Sequence, residues 1–135
     1  MRVMICLDDR NGLLFHNRRQ SLDREIHRDM VQYATPGDLW MKSYSYKGFT
    51  AISEKCHADD DFYSLAKDDD SCFVEDSSIL SNLQRFNEIV IYRWNRIYPA
   101  DVQFPIETLR NWNLVEKVDF SGYSHERITR EVYRK

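Results

Sequence analysis

Ionisable side chains crowd the start of the chain: Asp8, Asp9, Arg10, His16, Arg18, Arg19, Asp23, Arg24, His27 and Arg28. Arg10, Arg18, Arg19 and Arg24 are guanidinium forks that match a phosphate or carboxylate. His27 and Asp23 are the candidate catalytic residues, His27 as an acid or base and Asp23 as a carboxylate grouped with Arg18 and Arg19 at the helix entry. Asp9 adds a polar contact at the same turn. Lys42, Ser43 and Tyr92 are the candidate ligand contacts further along. The competing reading is a solvated helix face, with Arg24 and Arg28 one turn apart and flanked by Asp23 and Glu25.

Other clusters carry less. His16, His27, His57 and His125 have no metal-ligand spacing, and neither do Cys6, Cys56 and Cys72, so no metal is expected. The triplets Asp59–Asp61 and Asp68–Asp70 lack the spacing and glycine of a calcium loop and read as solvated loops. His125 lies in the polar stretch Ser121-Gly122-Tyr123-Ser124-His125 and is expected to be exposed. Tyr92, Arg93, Trp94, Asn95 and Arg96 mix aromatic and basic groups, as a nucleic-acid surface does. A buried strand leaving into a loop is the preferred reading there. The chain carries a net charge of −3, with −7 on residues 51–76 and +4 on the rest, which disfavours a polyanion across the middle segment.

The positioning elements follow from pattern. The chain has 135 residues with 42% hydrophobic and 30% charged, which predicts a single domain over residues 1–135 with its own core. Its apolar opening is too short for a signal peptide, and no stretch has the length of a membrane span, so a cytoplasmic protein is expected. Arg2 to Asp8 reads as a strand, and Asp9-Arg10-Asn11-Gly12 as a turn followed by a polar loop. Ser21 is the expected N-cap of a helix with Leu22, Ile26, Met30 and Tyr33 on one face, ended by Pro36-Gly37. Strands are predicted at 38–41, 72–74 and 88–94. A short helix or a turn is expected at 44–49. A second helix, capped by Ser77 or Ser78, would carry Ile79, Leu80, Leu83 and Phe86. Leu114–Phe120 and Ile128–Tyr133 form a closing antiparallel hairpin. The pattern predicts an α/β domain with a mostly parallel sheet. Residues 50–72 yield no clear assignment.

This order resembles dihydrofolate reductase. The resemblance rests on Leu7-Asp8-Asp9-Arg10-Asn11-Gly12 after the first strand. It rests also on Thr35-Pro36-Gly37 with Leu39-Trp40-Met41, on Phe73-Val74 before a capped helix, and on Asp101-Val102-Gln103-Phe104-Pro105. It implies a dihydrofolate reductase-like fold across nearly the whole chain. The reductase chemistry is mostly missing. Arg19-Gln20-Ser21-Leu22 stands where the family has L-P-W. His27 falls at the family's pterin-binding carboxylate, with Asp23 one turn earlier. Lys42-Ser43-Tyr44-Ser45 replaces G-R-x-T, and Glu75-Asp76 replaces the G-G at the cofactor pyrophosphate. No NADPH cofactor is therefore expected.

Three functions remain. The first is a divergent protein of this fold that is not a working reductase and binds a small anionic ligand near the first loop and helix. The second is a ribonuclease-like, RNA-handling enzyme. The opening also resembles short bacterial chains labelled ribonuclease Z, although the H-x-H-x-D-H zinc motif of that enzyme is absent. His16 and His27 would be the acid–base candidates. The third is a non-catalytic interaction protein whose cleft is filled by Phe15 and Tyr44.

Overall fold

The computed structural model describes residues 1–135. The elements, in chain order, are β1 (Arg2–Leu7), β2 (Gly12–Phe15), β3 (Arg18–Arg19), α1 (Arg24–Ala34), β4 (Leu39–Met41), α2 (Ser43–Gly48), β5 (Cys56–Ala58) and α3 (Phe62–Leu65). They continue with β6 (Ser71–Phe73), α4 (Ile79–Asn82), β7 (Glu88–Arg93), β8 (Val102–Gln103), β9 (Asn113–Phe120) and β10 (Ile128–Arg134). Seven strands form the main sheet in the order β5-β4-β6-β1-β7-β10-β9. Pairing is parallel from β5 to β7 and antiparallel through β10 and β9. A small antiparallel sheet, β3-β2-β8, folds beside it.

Both faces of the main sheet are covered, which is why β1 and β7 read as unbroken apolar runs rather than alternating ones. Along β1, Met4 and Cys6 join the core under α1, with Ile26, Met30, Val90 and Tyr92. Val3, Ile5 and Leu7 face the opposite core, with Phe62, Ile79, Phe86 and Ile89. Each buried aliphatic side chain contributes roughly 1.5–3 kcal/mol.

Several local expectations change. The helix cap is Asp23, not Ser21: Asp23 is extended (φ −150°, ψ 122°) and accepts from the Glu25 N–H. Leu22 lies before the helix and is exposed. The polar loop after Gly12 is a hairpin, β2–β3. Its two turn residues, His16 (φ 51°) and Asn17 (φ 61°), are both left-handed, the arrangement that matches strand twist. The second helix is cut to one turn, α4, followed by a 3-10 turn at Leu83–Arg85, and Ser78 makes no side-chain cap bond. Asp70 is not solvated. It is buried and accepts from the Asp38 and Lys67 backbone N–H groups and from Trp40 Nε1.

Candidate functional site

The C-terminal ends of β1, β6 and β7 point to one edge of the sheet, where open α/β folds place ligands. In this chain that edge is closed by its own side chains. Cys6, Leu13, Arg19, Gln20, Val74, Glu75 and Trp94 enclose a cavity of about 10 Å³, the scale of one water. Gln20 donates through Nε2 to Asp8 Oδ2 and to the Pro99 carbonyl, and its Oε1 is buried without a partner.

Two ion pairs lock the closure. Arg19 Nε and Nη2 donate to the Glu75 carboxylate at 3.0–3.1 Å, and the guanidinium lies 4.1 Å over the Tyr44 ring. Burial pushes the Glu75 carboxyl up, against the pull of Arg19. Lys42 Nζ sits 2.9 Å from Asp76 Oδ2. Burial raises the Asp76 carboxyl, but bonds from Ser78 and Lys42 outweigh it and hold the group below its ordinary range. Arg19 and Lys42 are thus neutralised by Glu75 and Asp76. Tyr44 packs on Arg19, and Phe15 stacks on His16 at the surface, so the filling that would favour a non-catalytic interaction protein is not seen.

His27 is buried and stacked on Phe49 with ring centroids 4.4 Å apart. Its Nδ1 accepts from the Thr50 N–H at 3.1 Å, which leaves the proton on Nε2. Burial and the positive charge of Arg19 lower its pKa to about 4. The ring is therefore neutral and its basic nitrogen is occupied, a poor acid–base group at neutral pH. His16, the other histidine considered with it, is a hairpin turn residue.

Asp23 is taken up by donors from a distant loop. Its side chain is buried at the first turn of α1, where it holds the β9–β10 loop. Oδ2 accepts from the N–H groups of Ser124 and His125 and from His125 Nδ1, and both oxygens accept from Tyr123 N–H. Burial would raise its pKa, but these donors outweigh it and hold the carboxyl at about 2. His125 is consequently buried, not exposed as expected from its polar loop. Its Nε2 faces Tyr98 Oη at 2.7 Å and Ser21 Oγ at 3.4 Å, and Trp94 stacks on the ring at 4.8 Å. No sequence signal linked Asp23 to positions 102 residues away.

The remaining candidates scatter. Tyr92 is fully buried and donates to Asp29 Oδ2 at 2.7 Å; Arg130 closes that pair from the other side. It is a core residue rather than a ligand contact. Asp9 and Arg10 are exposed in the turn after β1, where Asp8, not Asp9, is the organising carboxylate. Asp8 accepts from the N–H groups of Arg10, Gly12 and Tyr98. Arg18 is exposed on β3, and Ser43 N–H donates to Asp60. Arg24 lies 4.1 Å over the Tyr123 ring. Together with Arg28, Thr50 and Ala51 it borders an open hollow of about 330 Å³. No three His, Cys, Asp or Glu side chains converge as a metal site would require.

No family model matches this chain, and a search of curated proteins returns no match. Among solved structures it is similar to dihydrofolate reductase from Enterococcus faecalis complexed with NADP(H) and RAB-propyl. The TM-score is 0.65 over 98% of this chain and 94% of that chain, at 9% sequence identity. The dihydrofolate reductase-like fold expected from the sequence is therefore the fold of this chain.

Proposed function

We propose that this chain is a dihydrofolate reductase-fold protein that does not carry out NADPH-dependent reduction and instead holds a small anion beside its first helix. One observation carries the first half: Arg19 and Lys42 are paired with Glu75 and Asp76. A pyrophosphate needs free N–H donors and cations at close range. Here it would meet two carboxylates, and each opposed contact costs on the order of 1 kcal/mol even in water. The residues present do not fit the dinucleotide.

The anion reading rests on Arg24 and Arg28, one helical turn apart on α1 beside the hollow that Thr50 and Ala51 complete. Arg28 has only a peripheral partner, Glu25 at 3.4 Å. Two convergent guanidinium groups and a threonine suit a phosphate or carboxylate group.

The test is a pair of titrations. NADPH added to the purified protein should leave the fluorescence of Trp40, Trp94 and Trp112 unchanged up to millimolar concentration. Inorganic phosphate should shift the backbone amide resonances around Thr50, and the Arg24→Ala, Arg28→Ala double variant should abolish those shifts. Saturable NADPH quenching would overturn the first half of the reading. Phosphate shifts that persist in the double variant would overturn the second.

A further inference from the structure

The Asp23–His125 pair belongs to a chain of groups that closing the cleft does not require. Asp23 is an ionised, buried carboxylate, so it can only accept, and His125 Nδ1 must carry the proton it shares with Oδ2 at 3.0 Å. With the proton on Nδ1, Nε2 is the nitrogen left to accept. Tyr98 Oη lies 2.7 Å from that nitrogen, the shortest contact of the group. Ser21 Oγ is further off, 3.4 Å from Nε2 and 3.5 Å from Tyr98 Oη. Trp94 stacks on the imidazole and meets the Tyr98 ring edge-on, which fixes both orientations. Asp23 and His125 are buried, while Tyr98 is only half-buried. The base is thus shielded while the tyrosine it contacts is only partly buried, the layout of an activated nucleophile oriented by a third group.

We propose that Tyr98 is a nucleophilic hydroxyl served by His125 as general base and by Asp23 as a positioning residue, and that it accepts acyl groups from activated esters. The phenolic oxygen bonds to the ester carbonyl carbon as the bond to the leaving alkoxide breaks. The phenolic proton passes to His125 Nε2 and then to the departing oxygen. Water completes the cycle: it gives a proton to Nε2, attacks the acyl-tyrosine and releases a carboxylic acid, and the proton returns to Tyr98.

The full chain is mixed with p-nitrophenyl acetate; nitrophenolate release is followed, and acetyl positions are mapped by mass spectrometry. Tyr123 is the internal reference, because it is the most exposed tyrosine at 66% and lies beside the same loop. The expected result is a burst with acetyl on Tyr98, about 10²-fold faster than on Tyr123, and lost in Tyr98→Phe. His125→Gln, whose amide can still donate to Asp23, should slow Tyr98 acetylation by about the same factor. With a base in contact, the wild-type rate should flatten well below the pH at which a free phenol ionises. An unassisted phenol would instead climb tenfold per pH unit towards about 10. The groups facing the imidazole are Asp23, Tyr98, Ser21 and Ser124, and Arg96 reaches the Ser124 carbonyl. Acetylation of Tyr98 no faster than Tyr123, acetyl on Ser21 instead, or an unassisted pH profile would each overturn the proposal. The profile needs only the wild-type protein, so it decides the matter even where His125→Gln fails to fold.

Discussion

Replacing Asp23 with Asn should be among the most damaging single-atom changes in the chain. The Asp23 carboxyl is held at about 2, against an unfolded value of about 3.9, which corresponds to roughly 2.6 kcal/mol of native-state preference for the charged form at neutral pH. The variant adds a second cost. The Asn amide can accept through one oxygen only, so its NH2 faces buried N–H groups of Ser124 and His125. A buried donor left without an acceptor costs about 1–3 kcal/mol. The sum is about 4 kcal/mol, or a melting temperature lower by about 15 °C for a domain of this size. Thermal melts at pH 7, followed by circular dichroism, measure it, with the exposed Asp9→Asn as a control expected to stay within about 0.5 kcal/mol. The pH dependence supplies the sign. A depressed carboxyl stabilises above its unfolded pKa, and that contribution is lost as pH falls through the folded value. The gap between the two proteins should therefore narrow from about pH 4 to about pH 2. A cost below about 1 kcal/mol, or a gap that stays constant across that range, would refute the clamp.

Further outcomes are expected elsewhere. Arg19→Met alone leaves the Glu75 carboxylate buried without its partner and should cost about 3 kcal/mol, whereas Arg19→Met with Glu75→Leu should be close to neutral in urea unfolding. Tyr92→Phe removes the bond to Asp29, which keeps Arg130, and should cost about 1–2 kcal/mol by the same assay. At Gly37 an added Cβ would lie 2.0 Å from the Asp69 carbonyl oxygen. Gly37→Ala must therefore displace backbone, and an expected loss of about 2 kcal/mol or more is checked by chemical denaturation.

The strands of the parallel core were legible because burial on both faces leaves continuous apolar runs, as in Val3–Leu7 and Ile89–Tyr92. The order of elements was legible for the same reason, and with it the fold. The site was much less so. Ser21 and Asp23 are both good caps, and only the bonds from Tyr123 to His125 select Asp23. His125 looked exposed because its neighbours are small and polar, yet those neighbours supply the N–H groups that bury it. The hairpin at His16-Asn17 carried no glycine to announce its left-handed turn. Asp70 was hidden inside an acidic triplet whose other two members, Asp68 and Asp69, are exposed. For Asp23, His125 and Asp70 the deciding partner lies outside the local window that pattern reading uses.

The order of the main sheet also constrains how the chain is made. Its first strand pairs only with β6 and β7, so Arg2 meets partners 69 and 86 residues later. The cap of α1 waits longer still, for residues 123–125. On a ribosome, the amino-terminal segment leaves the exit tunnel with its backbone donors unmatched and its helix untied, and it stays so until most of the chain has followed. Long-range closure of this kind slows folding. Nascent chains halted before the final hairpin should be open to protease, and the same N-terminal segment should become resistant only after the last loop emerges.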